Sequence, residues 1–125
     1  ARTLARCHPG RLRSVSAFAP ITQPSRSDWG RRQLTAYLGP HEAGWARHDA
    51  TAALADQELD APLLIDVGLA DEFFTHLKIE AFAEVAAARG LGDTIRLQPG
   101  YDHSYWFVTT FMADHVGFHA EALFA

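Results

Sequence analysis

A single cysteine, Cys7, leaves no partner for an intrachain disulfide and cannot furnish a cysteine-cluster zinc site, which suits a reducing compartment. Positive charge is not in excess: 11 Lys and Arg stand against 15 Asp and Glu, a formal charge of -4, so the basic footprint of a nucleic-acid binder is missing. No apolar run approaches the roughly 18 residues that a membrane span requires, so no membrane partner is expected. Internal repeats and low-complexity segments are absent as well. The sequence opens "ARTLARCHPG", without Met and already inside an apolar, helix-like segment that nothing upstream caps. It therefore reads as a fragment with its front missing, and the lack of a signal peptide carries no information. What is there is 125 residues, 48% hydrophobic, the size of one ordinary domain with enough apolar content for a core.

Punctuation and periodicity divide these residues into alternating elements. Residues 1 to about 8 read as a helix closed by His8-Pro9-Gly10, with Cys7 as a small core residue. "SVSAFAP" (14–20) is a short uncharged strand, the pattern of a strand covered on both faces. Residues 21–47 are rich in Pro and Gly and carry one short helical piece, 31–38. A helix over 49–57 follows, with Asp49 as its N-cap, and then a second buried strand, "PLLIDVG" (62–68). The clearest helix spans 77–90, with Ile79, Phe82, Ala83 and Ala86 on one side and Gly90 as its stop. A third strand, 93–99, leads to a long helix over 104–123 with Val108, Phe111, Met112, His115 and His119 on one stripe. Strands alternating with helices imply parallel pairing, because parallel neighbours need long crossovers; the class is α/β.

In open parallel sheets, chemistry gathers beyond the carboxyl ends of the strands. After the second strand comes Asp71; after the third come Asp102 and His103. A carboxylate from one loop and an imidazole from the next form the orienter and base of a Ser-His-Asp system, in the order Asp before His that an α/β-hydrolase uses. The nucleophile should precede both in a G-x-S-x-G elbow, and no such motif occurs here. An elbow runs directly into a helix, and this chain opens in one, so the serine is expected just upstream of Ala1.

Other candidates have plainer readings. Asp66, at a strand end, reads as a cap on a neighbouring turn, and Asp102, adjacent to His103, as a helix-start residue rather than an orienter. His115 and His119 stand at i, i+4 but lack a third ligand, so no metal is expected. His8, His41, His48 and His76 read as solvated, and Trp29, Trp45 and Tyr37 as a cluster packing a lid or lining a pocket.

The segments "SVSAFAPI", "WG" (29–30), "AYLGP" (36–40), "DAT" (49–51), "LLIDVGLADEFF" and "LQPGYDHSYWFVTTFMADH" together resemble the S-formylglutathione hydrolase (esterase D) family, in its order and across nearly all 125 residues. The match is to that family's C-terminal half, beginning just after the elbow. The chain departs in having Trp106 where tyrosine is usual, "SRSDWG" in place of a Cys-Pro-Trp-Gly-like turn, and "GFH" at 117–119 interrupting a basic stretch. The resemblance implies an α/β-hydrolase fold, with Asp71, in G-x-x-D-x-F, as catalytic acid and His103 as catalytic histidine. It places the nucleophile about six residues before Ala1 and the oxyanion hole upstream as well. It also implies a cytoplasmic serine thioesterase releasing formate and glutathione from S-formylglutathione, without metal or organic cofactor. Its small-molecule substrate is the only partner implied, and a homodimer is left open. The alternatives are a short-chain carboxylesterase of the same fold or a non-catalytic remnant.

Overall fold

The computed structural model describes residues 8, 10–56, 59 and 61–125. The expected helix over 1–8, apart from His8, and the placement of Cys7 lie outside them. Three short strands, β1 (Val15–Phe18), β2 (Leu63–Gly68) and β3 (Ile95–Gln98), form one sheet in the order β1-β2-β3. Both pairings are parallel, as the alternation of elements requires; Val15 pairs with Leu63, and Ile65 with Ile95. The helices are α1 (Asp28–Leu38), α2 (Ala50–Asp56), α3 (Phe74–Leu77), α4 (Ile79–Ala88) and α5 (Tyr105–Phe124).

Alternation along the strands sorts the side chains onto two unlike faces. Val15, Leu63, Ile65 and Val67 point one way and join Leu54 of α2 and Ile79, Phe82 and Ala86 of α4 in the apolar core. Ser16, Phe18, Asp66, Arg96 and Gln98 alternate to the other face, against α5. Contact there is mixed: the Phe18 ring meets Phe107 at 5.6 Å and stacks on His115 at 3.9 Å, and His119 bridges the Ser14 and Ser16 hydroxyls at 2.7 and 2.9 Å. The expected stripe of α5 faces inward at Val108, Phe111, His115 and His119 but not at Met112. Phe107 and His115 are buried, whereas Met112 is 43% exposed.

Boundaries differ where tertiary contacts intervene. The helix expected over 77–90 starts earlier, at Phe74, and breaks at Lys78, whose φ of 55° is left-handed. The buried Thr22 explains the break, because its hydroxyl reaches the Leu77 and Lys78 carbonyls at 2.9 and 2.8 Å and occupies groups a continuing helix would need. The third strand is shorter than 93–99, since Gly92–Thr94 forms a 3-10 turn before it. Asp49 does cap α2, accepting the Ala52 N–H at 3.0 Å. Ser27 starts α1 earlier than expected, accepting the Gly30 N–H at 3.5 Å.

Candidate active site

The segments following β2 and β3 are joined by their backbones before any side chain meets. The Leu69 N–H donates to the Gln98 carbonyl and the Ala70 N–H to the Tyr101 carbonyl, each at 3.0 Å. Gly68 makes the approach feasible: a Cβ there would stand 2.1 Å from the Tyr101 carbonyl oxygen. Gly100, at a φ of 80°, turns the second segment back with a conformation that side chains resist. A tight turn, Asp71 N–H to Gly68 carbonyl at 3.3 Å, then aims the Asp71 side chain at the neighbouring loop.

There it meets His103. Asp71 Oδ2 lies 2.8 Å from His103 Nδ1, inside the about 2.6–3.2 Å expected of an orienter and a base. The carboxylate side chain is 0% exposed and the imidazole 42%. An ionised carboxylate only accepts, so Nδ1 carries the proton and Nε2 is left as the accepting nitrogen. Asp71 Oδ1 is satisfied separately by the Phe73 N–H at 2.8 Å. Beside the imidazole lies a cavity of about 350 Å³ at the carboxyl end of β1 and the start of α5, with Phe18, Ala19, Tyr105 and Phe107 in its wall. Ala19 holds a φ of 41°, a left-handed backbone that costs a non-glycine residue about 1–3 kcal/mol. The Ala19 N–H bonds the Asp66 carbonyl at 2.8 Å, which keeps it there.

The remaining candidates are held elsewhere. Asp102 does not grip the ring; it accepts the Ser104 hydroxyl, and Ser104 in turn caps α5 toward the Phe107 N–H at 3.5 Å. Asp66 is no turn cap. It lies wholly buried among Arg96 Nε at 2.9 Å, Gln98 Nε2 at 2.8 Å and His115 Nε2 at 2.9 Å, with a second Arg96 nitrogen on its other oxygen. Burial pushes its carboxyl up, but the hydrogen bonds from Arg96, Gln98 and His115 and the Arg96 charge outweigh burial and hold it below the ordinary 3.8. With His115 on Asp66 and His119 on two serines, that pair is committed to protein partners. His76 is not simply solvated, since its ring stacks on Trp29 at 4.7 Å. The expected aromatic cluster is dispersed: Trp45 is buried with its Nε1–H on the Gly39 carbonyl, Tyr37 is 85% exposed, and Trp29 turns to Phe73.

The five serines are likewise accounted for, and none bonds the His103 ring. Ser14 and Ser16 meet His119, Ser25 bonds Asp49 at 2.5 Å, Ser27 caps α1 and Ser104 caps α5. Sequence reading missed Phe73 as a contributor. Its position two residues after an aspartate was the available signal, because that is where an Asp side chain collects a backbone N–H.

A parallel sheet with helices on both faces, sending a carboxylate from one strand end to an imidazole from the next, has the architecture of an α/β hydrolase. The family model described as "Putative esterase" matches residues 1–122, and the chain belongs to that esterase family. Three relatives are each named S-formylglutathione hydrolase. The one from Paracoccus denitrificans is 53% identical over 98% of this chain and 44% of its own length. Those from Mus musculus and Arabidopsis thaliana are 42% and 44% identical, over 93% and 90% of this chain and 42% and 40% of theirs. The solved structure of an S-formylglutathione hydrolase from Agrobacterium tumefaciens matches with a TM-score of 0.87 and 43% identity, covering 98% of this chain and 45% of that one. The chain thus spans less than half the length of the relatives it matches.

Proposed function

We propose that these residues are the C-terminal part of a single α/β-hydrolase domain that hydrolyses S-formylglutathione, its nucleophilic serine and oxyanion hole lying upstream of Ala1. The observation that carries the reading is the buried Asp71 carboxylate 2.8 Å from Nδ1 of a half-exposed His103, in a chain whose own serines are all engaged elsewhere. In the reaction, His103 Nε2 takes the serine proton as the hydroxyl oxygen attacks the thioester carbonyl carbon. The imidazolium, stabilised by Asp71, then protonates the departing glutathione sulfur and leaves a formyl-serine ester. His103 next takes a proton from water as it attacks that ester, and formate leaves while the proton returns to the serine. A glutathione thioester as substrate places the enzyme in the cytoplasm, in formaldehyde clearance. Among the described residues no helix is long and apolar enough to cross a membrane.

The test uses a polypeptide carrying these residues behind a G-x-S-x-G elbow. S-formylglutathione should be turned over faster than short acyl esters. His103→Ala should nearly abolish turnover, and Asp71→Asn should leave the fold intact while lowering kcat by on the order of 10⁴, as in serine proteases. Faster turnover of simple esters would make the protein a general carboxylesterase. Full activity in the Asp71→Asn variant would remove Asp71 from the site.

A further inference from the structure

Three consecutive residues take hold of His103 by three different means. Asp71 binds Nδ1, Glu72 Oε2 lies 3.5 Å from the backbone N–H, and the Phe73 ring stands edge-to-face with the imidazole, centroids 5.2 Å apart at 83°. Phe73 acts on both partners at once. Its N–H occupies Asp71 Oδ1 at 2.8 Å, which leaves Oδ2 for the histidine, while its ring closes one side of the imidazole. The ring is itself braced: Trp29 packs on it at 4.8 Å, and His76 lies nearly parallel to Trp29, at 6°. A row of four rings therefore runs from His76 through Trp29 and Phe73 to His103.

A hydrogen bond to Nδ1 fixes one atom of an imidazole but leaves the ring able to tilt about that contact, and a half-exposed ring has room to do so. A packed aromatic neighbour removes that freedom, and a base must be aligned as well as ionised correctly. We infer that Phe73 is a positioning residue that holds His103 in its proton-accepting orientation, with Trp29 as its brace. The inference rests on the proposed role of Asp71 and His103 and goes beyond it, since Phe73 transfers no proton.

The discriminating change is Phe73→Leu in the elbow-bearing polypeptide, which keeps the backbone N–H on Asp71 and removes only the ring. The expected result is a loss of roughly tenfold in kcat with KM changed less than about twofold. The downfield Nδ1 proton resonance of His103 should broaden through faster exchange with water, and Phe73→Tyr, which retains a ring, should restore both. Should the leucine variant fail to fold, Phe73→Met is judged on the same readouts. Unchanged kcat per folded molecule, a sharp Nδ1 resonance, or a loss confined to KM would each overturn the inference, the last by making Phe73 a substrate contact. Asp71→Asn, measured alongside, separates the two levels: a large loss there with none at Phe73 rejects only the positioning role, whereas no loss at Asp71 rejects the dyad and this inference together.

Discussion

Asp66 carries a full charge inside the protein, and its three donors come from two elements, β3 and α5. Because its carboxyl titrates below the unfolded value, its stabilisation is complete above about pH 4 and is lost as pH falls through the lowered folded value. Asp66→Asn should cost about 1–3 kcal/mol at neutral pH, since Arg96 then keeps only Asp114 as an acidic partner. The same variant should show a flatter loss of stability on acidification, read from urea unfolding at pH 7 and pH 3. Turnover per folded molecule should survive in Asp66→Asn and in His115→Ala, because neither residue touches His103. Asp71 and His103 were legible in sequence because each follows an apolar strand run within a few positions. The Asp66 cluster was not: Arg96 becomes its neighbour only through the register of β2 on β3, and His115 only through the rotation of α5.

At the level of elements, the two loops that carry Asp71 and His103 are one structure. Gly68 is needed for space rather than for an unusual backbone angle. Gly68→Ala must push the Tyr101 carbonyl aside, straining the Ala70–Tyr101 bond and drawing the His103 loop away from Asp71. A loss of about 1–3 kcal/mol is expected, together with a weakened Nδ1 proton signal at a site the new methyl does not reach; denaturant titration and proton spectroscopy check the two parts. The strands and the start of α5 could be read from apolar runs and from Ser104, whose capping chemistry is local. The break at Lys78 could not, because its cause, Thr22, lies far away in sequence and acts through carbonyls that every residue possesses.

For the whole molecule, parallel order followed from alternation alone, but the unequal faces of the sheet did not. Beyond β1 no further strand is paired among the described residues, and Tyr105, Trp106, Val116 and Phe124 are more than half exposed along α5. An uncharged strand edge of this kind offers pairing to other chains. Residues 1–125 expressed alone should therefore be poorly soluble or molten and inactive on S-formylglutathione, as gel filtration, thermal unfolding and a thioester assay will show. A monomer with cooperative unfolding would contradict the stability part, and turnover abolished by changing Ser16 or Ser104 would return the nucleophile to this chain. The parallel register also sets a timetable for birth on the ribosome. β1 is made before Leu63, its first pairing residue on β2, which is translated only after the whole intervening crossover, a wait of seconds at roughly 5–20 residues per second. Asp71 waits again for His103, so the two side chains meet only after β3 and the loop that follows it have been made.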